Sequence, residues 1–295
     1  MELRTLTYFV AVAEAGSVSA AAERVRVTQP ALSRQVKELE RELGVGLFDR
    51  RAGRLHLSAA GKQFLGHARA VLYSADAART AAATIAAGRL VTLTIAAPTT
   101  TLTDIVAPFI ATLGADDPLP EVVETDGPRA LETLRKGTDL AIVTHTPAAE
   151  WHTLALAVLP MLAYIPRGHP LADRAGVRLD ELVDLPLILL DRSFRPRLLL
   201  QEALTAEGLV VTDAIECGNA QVAQALAAAG RGVAVVSDDP RYDLVGIPVT
   251  ARNHPLDIRL FAAWDPRHHA AEALAETARR LRSFCVARYG PQILP

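Results

Sequence analysis

The stretch VTQPALSRQVKELE, residues 27–40, predicts an amphipathic helix whose first turn has few apolar side chains. Thr28 is suited to the N-cap, and Pro30 is tolerated because the first amide hydrogens of a helix have no intrahelical acceptor. The apolar stripe expected in the core consists of Leu32, Val36, Leu39 and Leu43. The opposite, polar face consists of Gln29, Pro30, Ser33, Arg34, Lys37 and Arg41. This face is predicted to point outward, where it is either simply solvated or in contact with a polar partner.

Two shorter helices are predicted before this one. The first has an apolar stripe at helical spacing over residues 3–13 and ends at Gly16. Ser17 is suited to cap the second, which ends before a short turn at residues 26–27. A short turn followed by a helix with a polar outer face is typical of a helix-turn-helix, whose second helix lies in the major groove of DNA.

The stretch GLFDRRAGRLHL, residues 46–57, predicts a β-hairpin with its turn around Ala52 and Gly53. Beside a groove-reading helix, such a hairpin forms a wing whose arginines are suited to phosphate or minor-groove contacts. The predicted DNA-binding residues are Gln29, Pro30, Ser33, Arg34, Lys37, Arg50, Arg51 and Arg54. Among them, Gln29, Ser33 and Arg34 are predicted to read base edges, and the remaining basic side chains to hold the DNA backbone.

The charge distribution agrees with a polyanionic partner for the first part of the chain. Residues 1–90 contain 13 Lys and Arg against 8 Asp and Glu, whereas residues 91–295 contain 18 against 25. The net charge of the 295 residues is only −2, so the total conceals this division. A basic head on an acidic body favours contact between the head and nucleic acid, although ordinary fluctuation can produce a similar imbalance.

Residues 8–65 resemble the winged helix-turn-helix of the LysR-type transcriptional regulators along their whole length. The elements TQPALSRQ, LE-x-x-LG, LFDR and S-x-x-G occur in the order and spacing of that family. Val18, Thr28 and Ser58 stand where the family often has an aromatic residue, serine and threonine, and none of them is a predicted contact residue. The resemblance implies a sequence-specific transcriptional regulator that responds to a ligand, and leaves the operator, the inducer and the direction of control open.

Residues 59–89 predict one long linker helix, because they are rich in alanine and contain no proline. Ser58 is suited to cap it. Its apolar seam consists of Phe64, Ala68, Val71, Leu72, Ala75, Ala78, Ala82 and Ile85. The seam is too long for the head to cover, so a second chain is expected on it, unless the helix lies back on its own domain.

The resemblance implies that two such helices pair antiparallel in a homodimer, and that dimers assemble into a homotetramer. Two-fold symmetry would then present two recognition helices about 34 Å apart to a palindromic double-stranded operator. RNA polymerase is a further candidate partner. The sequence does not decide between dimer and tetramer.

After residue 90, strands alternate with helices in two similar sets, which predicts two α/β lobes with parallel strands. The predicted strands are LVTLTIAA, EVVET, LAIVT, LPLILL, AIECG and GVAVVS. The phrases LRKGTDLAI, PRGHPLA and GRGVAVVS are similar to family phrases, and the resemblance implies a two-lobed periplasmic-binding-protein-like effector domain with the inducer between the lobes.

The expected fold class is therefore α+β multidomain, with a winged helix-turn-helix, a linker helix and a two-lobed α/β effector domain. The expected boundaries are 1–58 for the DNA-binding domain, 59–89 for the linker helix and 90–295 for the effector domain, with lobe I at 90–161 and 267–295 and lobe II at 162–266.

Open parallel sheets bind ligands beyond the carboxyl ends of their strands, where helix N-termini offer free amide hydrogens. Three segments of this kind follow predicted strands. The predicted effector-binding residues are Thr99, Thr100, Thr101, His145, Ser193, Phe194, Arg195 and Asn219. Their hydroxyl, amide and guanidinium groups favour a small carboxylate or another small anion. The threonines and Asn219 could instead be helix caps, and the arginine and histidine solvated surface groups.

Three other classes of function fit the sequence less well. An enzyme is disfavoured because no G-x-S-x-G, H-E-x-x-H, P-loop or dinucleotide glycine motif occurs, and no cofactor or metal is predicted. A redox sensor would use Cys217 and Cys285, which are far apart and better interpreted as free thiols. A solute-binding protein would leave the basic head unexplained. No signal peptide or membrane-spanning run is recognised, so a cytoplasmic location is expected.

Overall fold

The structure is a computed structural model that describes residues 1–51, 54–125, 127–252 and 254–294. For residues 50, 51, 54, 127 and 128 the description is limited to the backbone. The chain forms two compact units, residues 1–84 and residues 85–295. Within the described residues, no helix has both the length and the apolar character needed to cross a membrane.

The first unit is a three-helix head with a two-stranded wing and a long helix, as the sequence predicts. Its elements are α1 (Leu3–Ala15), α2 (Val18–Arg24), α3 (Gln29–Leu43), β1 (Phe48–Arg51), β2 (Arg54–Leu57) and α4 (Ala59–Ala86). Strands β1 and β2 are antiparallel, with Phe48 opposite Leu57. Helix α4 has 28 residues and is therefore about 42 Å long. The predicted wing turn at Ala52 and Gly53 lies outside the described residues.

One aromatic side chain joins the three parts of this unit. Phe9 of α1 is fully buried, and its ring lies 5.5 Å from the ring of Phe48 in the wing and 5.4 Å from that of Phe64 in α4. Leu32 and Leu39 of α3 are also fully buried, as their place on the apolar stripe predicts. Burial of this stripe fixes which face of α3 remains outside.

The predicted helix starts are confirmed, but two of the three predicted caps act through the backbone alone. Ser17 and Thr28 occupy the N-cap positions of α2 and α3 without a capping hydrogen bond from either side chain. At α3, Pro30 occupies the N2 position and has no amide hydrogen, so one of the two usual donors to the Thr28 hydroxyl is missing. Ser58 does cap α4, because its Oγ accepts the amide hydrogen of Gly61 at 2.9 Å.

The second unit contains two lobes, each built on one sheet. The strands of lobe I are β3 (Thr92–Ala97), β4 (Leu119–Glu124), β5 (Leu140–Val143), β6 (His152–Pro160) and β14 (Asp257–Trp264). Its helices are α5 (Thr99–Thr101), a π-helical turn (Leu102–Val106), α6 (Ala107–Ile110), α7 (Gly127–Leu134) and α11 (Ala271–Tyr289). The strand order is β4-β3-β5-β14-β6. Strand β3 is parallel to β4 and β5, whereas β14 is antiparallel to β5 and β6.

Lobe II has a seven-stranded sheet. Its strands are β7 (Leu162–Pro166), β8 (Val177–Arg178), β9 (Leu187–Leu190), β10 (Ala214–Cys217), β11 (Val233–Val236), β12 (Leu244–Ala251) and β13 (His254–Pro255). Its helices are α8 (Leu179–Leu182), α9 (Arg195–Glu207) and α10 (Ala220–Ala228). The order is β10-β9-β11-β7-β12-β13, with β8 beside β12. All four residues of β9 are buried, because α10 packs on one face of the sheet and α9 on the other.

The chain crosses between the lobes at two buried residues, Met161 and Leu256. The amide of Met161 donates to the carbonyl oxygen of Leu256 at 2.7 Å, so the two crossings are bonded to each other. The expected limit of lobe II at residue 266 is wrong. Strand β14 pairs with β6 along its whole length and therefore belongs to lobe I, which places the boundary at Leu256.

Candidate functional site

The outer face of α3 remains polar and accessible. Gln29, Pro30, Arg34 and Lys37 are exposed, and Ser33 is half-buried. Neither Arg34 nor Lys37 forms an ion pair with a carboxylate of the described residues. Both basic side chains are therefore available to an external anion. The predicted outward orientation of the face is confirmed, and its contact with DNA remains a prediction.

The wing is attached to α3 by a side chain whose role the sequence analysis missed. Glu40, on the inner side of α3, accepts the amide hydrogens of Leu47 at 2.7 Å and Phe48 at 3.1 Å. Ser58 holds the other end of the wing, because its Oγ donates to the carbonyl oxygen of Gly46 at 2.7 Å. These bonds explain the LE-x-x-LG and S-x-x-G elements, since they set the angle between the wing and α3.

The wing arginines are only partly located. Strands β1 and β2 pair up to Arg51 opposite Arg54, so the hairpin predicted from the sequence is present. The side chains of Arg50, Arg51 and Arg54 lie outside the description. Their predicted contacts with the DNA backbone therefore remain predictions.

Helix α4 has an apolar seam that is only partly covered. Ala68 is buried, and Phe64 and Leu72 pack against the core of the head. Further along, Val71 is 42% exposed and Ile85 47% exposed. Ala78 and Ala82 are exposed as well. The predicted pairing of this seam with a second chain is consistent with its exposure, but no partner chain tests it.

A cavity of about 490 Å³ lies between the two lobes of the second unit. It contains six of the eight predicted effector-binding residues, which are Thr99, Thr100, Thr101, Ser193, Phe194 and Arg195. They come from two helix starts, one in each lobe. Helix residues 99–110 begin after Pro98, and α9 begins after Phe194; neither N-cap side chain makes a capping hydrogen bond. The first amide hydrogens of helix 99–110 are therefore available to an anion, whereas α9 offers those of Arg195 and Arg197 only, because Pro196 has none.

The other two predicted residues lie elsewhere. His145 lines a neighbouring cavity of about 330 Å³ that shares Thr144 and Arg195 with the first. Asn219 is absent from the described lining of either cavity. Its Oδ1 accepts the amide hydrogens of Gln221 at 2.8 Å and Val222 at 3.2 Å, so the structure gives it the role of an N-cap for α10.

The arginines near the start of α9 are less available than the sequence suggests. Arg195 donates to Glu202 at 2.9 Å. Arg197 is only 8% exposed and donates to Gln201 at 2.8 Å. Both guanidinium groups therefore already have acceptors, and the two helix starts are the main positive feature of the cavity.

Several lining residues were missed by the sequence analysis. The polar ones are Asp104, Glu124, Thr125, Thr144, Ser237, Asp239 and Tyr289. Glu124 ends β4, Thr144 follows β5 and Ser237 follows β11, so the rule that ligands bind beyond strand ends would have located them. The apolar part of the lining consists of Pro98, Ile105, Leu159, Pro196, Ile258 and Leu260.

Asp104 connects the lobes beside the cavity. It is 5% exposed, accepts from the Arg241 guanidinium at 2.6 Å, and accepts the amide hydrogen of Asp239 at 2.9 Å. The carboxylate of Asp239 in turn accepts from Arg288 at 2.5 Å. Burial raises the pKa of Asp104 above its ordinary value, while its backbone bond to Asp239 and the charge of Arg241 oppose the shift.

Asp238 is the most perturbed carboxyl group of this region. It is 4% exposed, and its Oδ2 has no hydrogen-bond partner among the described residues. Burial, with the nearby charge of Asp104, raises the pKa of Asp238 to about 7. The described residues contain no group of three or more His, Cys, Asp and Glu side chains placed to hold a metal ion.

Two family matches account for most of the chain. Residues 3–62 match the family described as bacterial regulatory helix-turn-helix protein, lysR family. Residues 86–286 match the LysR substrate binding domain. Among curated proteins, the HTH-type transcriptional regulator AlsR of Bacillus subtilis is 30% identical over 270 residues, which cover 90% of this chain and 89% of AlsR.

The same fold occurs in solved structures. The OxyR C206 mutant of Corynebacterium glutamicum is similar with a TM-score of 0.74 and 24% identity, over 96% of this chain and 92% of that one. Full-length CbnR, solved in a complex with its target DNA, is similar with a TM-score of 0.58 and 23% identity, over 96% of this chain and 100% of that one. These two structural similarities are evidence for the fold of this chain alone.

Proposed function

The chain belongs to the LysR family of transcriptional regulators, and from this premise we propose that α3 reads a palindromic operator while a metabolite between the lobes controls the complex. As a member of that family it combines a DNA-binding helix-turn-helix with an effector-binding domain. The observation that carries the DNA-reading role is the exposed polar face of α3, whose Arg34 and Lys37 have no carboxylate partner among the described residues. No residue is assigned a catalytic role.

The proposed contacts follow from side-chain chemistry. Gln29 and Arg34 can each form paired hydrogen bonds with the major-groove edge of a base, and Ser33 can donate or accept one. Lys37 is a compact charge suited to phosphate. Arg50, Arg51 and Arg54 of the wing are assigned to the DNA backbone as well. Pro30 is assigned to van der Waals contact at the start of the helix.

Replacing Arg34 and Lys37 separately should weaken DNA binding in two different ways. Arg34→Ala should relax the preference at one base pair of each half-site and weaken operator binding roughly tenfold. Lys37→Ala should weaken all sequences alike and reduce the salt dependence of log K by about one unit of slope. The measurement is a fluorescence-anisotropy titration against operator variants at several salt concentrations. Lys136→Ala, an exposed lysine of the second unit, is the control. Identical behaviour of the first two variants would refute the division of roles.

Members of this family form oligomers, and we propose a homodimer through α4. The support is the exposure of Val71, Ala78, Ala82 and Ile85 along one apolar seam. A two-fold axis would place two heads about 34 Å apart, one helical turn of DNA. In this scheme residues 1–58 bind DNA, 59–89 pair the chains and 90–295 bind the effector. We further propose that two such dimers assemble into a tetramer and that the bound protein contacts RNA polymerase.

For the effector we propose a small carboxylate held by the two helix starts at Thr99–Thr101 and Ser193–Arg195. Free amide hydrogens and the helix dipoles favour a negative group there, and the hydroxyl groups of Thr99 and Ser193 must leave Glu124 and Asp191 to bind it. His145 borders the neighbouring cavity and is assigned an outer position. Because the two helices belong to different lobes, a bound anion favours one angle between the lobes and thereby changes the bend of the operator.

Removing single hydroxyl groups should weaken this binding without unfolding the domain. Thr100→Ala and Ser193→Ala are each expected to lower carboxylate affinity about threefold to tenfold, because each hydroxyl exchanges its bond to Asp238 or Asp191 for a bond to the charged ligand. A thermal-shift screen of mono- and dicarboxylates with the wild type finds a ligand, and the variants are then titrated with it. Thr112→Ala, near the far end of the same helix and outside the cavity lining, is the control. Unchanged stabilisation of both variants would move the site elsewhere.

The whole proposal has one direct test. Nuclease footprinting of the protein on the DNA upstream of its own gene should protect two half-sites about one helical turn apart. Addition of the carboxylate found above should change the spacing or the cleavage between the half-sites. Absence of any protected site at low salt would contradict the DNA-reading role of α3.

A further inference from the structure

The charges around the interlobe cavity do not match those of a site for a simple anion. Asp104, Glu124 and Asp239 supply three carboxylates to its described lining, while Arg195 is the one basic side chain in that lining. The guanidinium of Arg195 already donates to Glu202 at 2.9 Å and 3.5 Å. A ligand with only a carboxylate would therefore meet an excess of negative side chains.

Two of the three carboxylates already have cationic partners. Asp104 is bonded to Arg241 and Asp239 to Arg288. Glu124 differs, because it accepts from the Thr99 hydroxyl at 2.5 Å and forms no ion pair with any cation of the described residues. Its uncompensated charge lies beside the first residue of helix 99–110, where the carboxylate of the effector is proposed to bind.

A second, independent feature also requires a donor. A cavity of about 610 Å³ adjoins the first and shares Asp104, Ser237, Asp239 and Tyr289 with it. Asp238 lines this second cavity, is 4% exposed, and has an Oδ2 without a hydrogen-bond partner in the described part of the chain. A buried acceptor without a partner is costly, and an N–H donor on a ligand would remove that cost.

Both neighbouring cavities are lined by charges of both signs. The 330 Å³ cavity has Arg195 and Arg259 together with Asp257. The 610 Å³ cavity has Asp104, Asp238 and Asp239 together with Arg241 and Arg288. The lining of the 490 Å³ cavity adds the apolar side chains of Leu159, Ile258 and Leu260. A ligand that fills this space needs a hydrocarbon body and charges of both signs.

We propose that the effector is an aliphatic amino-acid-like zwitterion, whose ammonium group binds Glu124, with Asp238 as a second acceptor, and whose carboxylate binds the two helix starts. This inference rests on the proposed role of the cavity and adds the chemical class of the ligand. An ammonium beside Glu124 forms charge-assisted hydrogen bonds, while Leu159, Ile258 and Leu260 exclude water from the hydrocarbon part.

Four probes of equal carbon number separate the two charges. Norleucine and 6-aminohexanoate carry both groups at different spacings, hexanoate carries only the carboxylate, and hexylamine only the ammonium. Each is titrated into the full-length protein by calorimetry and thermal shift. We expect at least one zwitterion to bind roughly tenfold or more tightly than hexanoate and hexylamine, because a hydrogen bond between charged groups has that value.

Matched variants locate the ammonium. Glu124→Gln should weaken the zwitterion about tenfold and bind hexanoate at least as tightly as the wild type does, because a negative neighbour of the carboxylate is removed; Asp238→Asn should act in the same direction. Glu121→Gln, on the exposed side of the same strand β4 and outside the cavity lining, should change neither. A loss of affinity confined to the zwitterion supports the inference, because a merely structural role of Glu124 would lower the affinity for both ligands equally.

The failures are distinguishable. If hexanoate binds as tightly as both zwitterions, and neither Glu124→Gln nor Asp238→Asn changes the affinity, the proposed ammonium site is wrong while the cavity remains the effector site. If Thr100→Ala and Ser193→Ala also leave binding intact, the proposed cavity itself is wrong. If neither zwitterion binds to protein that still retards operator DNA, the inferred chemical class is wrong.

Discussion

Replacement of Gly61 by alanine should unfold the head and abolish DNA binding, while the second unit stays folded. A Cβ at this position would lie 2.0 Å from the carbonyl oxygen of Leu47 and 2.9 Å from its carbonyl carbon. Both are backbone atoms, so relief requires the start of the wing to move away from α4. Overpacking commonly costs about 1–3 kcal/mol even where side chains can adjust, so we expect about 3 kcal/mol or more here.

Gly66, five residues further along α4, provides the matched control. A Cβ there meets nothing within 4 Å, so Gly66→Ala should stabilise the head by about 0.5–1 kcal/mol through helix propensity alone. Both tryptophans, Trp151 and Trp264, belong to the second unit, so their fluorescence follows that unit during urea denaturation, and far-UV circular dichroism follows both. A Gly61→Ala protein with a wild-type dichroism transition and normal DNA retardation would contradict the predicted clash.

The head could be predicted from the sequence because each of its elements has a strong local pattern. The apolar stripe of α3 occurs at helical spacing, and the wing alternates between apolar and polar residues. The bonds that orient the wing could not be predicted this way. In the sequence, Glu40 is one of several charged residues of α3. Only the structure shows that its Oε1 accepts the amide hydrogens of Leu47 and Phe48.

The crossing strands of the second unit could not be located from the local sequence pattern, for a physical reason. Strand β6 has the sequence HTLALAVLP, and alanine and leucine favour helix as much as strand when tertiary context is ignored. Pairing with β14 over its whole length decides in favour of the strand. Strands β7 and β12 are likewise defined by antiparallel partners distant in sequence, so an alternating strand-helix pattern could not locate the lobe boundary at Leu256.

The cavity was predicted in part, through one geometric rule. Carboxyl ends of parallel strands meet at one edge of a sheet, which located Thr99–Thr101 and Ser193–Arg195. The rule cannot distinguish a ligand group from a cap, because both stand at the start of a helix, and Asn219 proves to be a cap. The bond between Asp104 and Arg241 joins residues 137 positions apart, and no local pattern indicates it.

Replacement of Asp238 by asparagine should make the second unit more stable at pH 8 and remove most of its pH dependence between about pH 4 and 7. Asp238 is surrounded by Asp104, Asp239, Arg241 and the Thr100 hydroxyl. Burial is the main cause that raises its pKa from 3.8 to about 7, and the charge of Asp104 is the next. The folded protein therefore holds a proton on Asp238 at pH values where the unfolded chain has released it.

The sign of the effect follows from this difference. Where the folded state binds more protons than the unfolded state, the free energy of unfolding falls as the pH rises. Stability linked to Asp238 is thus fully present below pH 4 and is lost as the pH approaches 7. A pKa moved from 3.8 to about 7 corresponds to an upper limit of roughly 4 kcal/mol. The asparagine side chain has no charge to bury, so the Asp238→Asn variant should gain stability over wild type at pH 8, and the difference should shrink steadily as the pH falls from 7 toward 4.

Urea unfolding followed by tryptophan fluorescence at pH 5, 6, 7 and 8 measures this directly in the second unit. Asp184→Asn, which changes an exposed carboxyl group of the same lobe, should leave the wild-type pH profile unchanged. The raised pKa of Asp104 acts in the same direction, so the free energy of unfolding of the Asp238→Asn protein should still fall slightly as the pH rises. Parallel pH profiles for wild type and Asp238→Asn would show that Asp238 is ionised in the free protein at every pH tested. Its orphan Oδ2 would then already have a donor, and the case for a ligand ammonium at that oxygen would be lost.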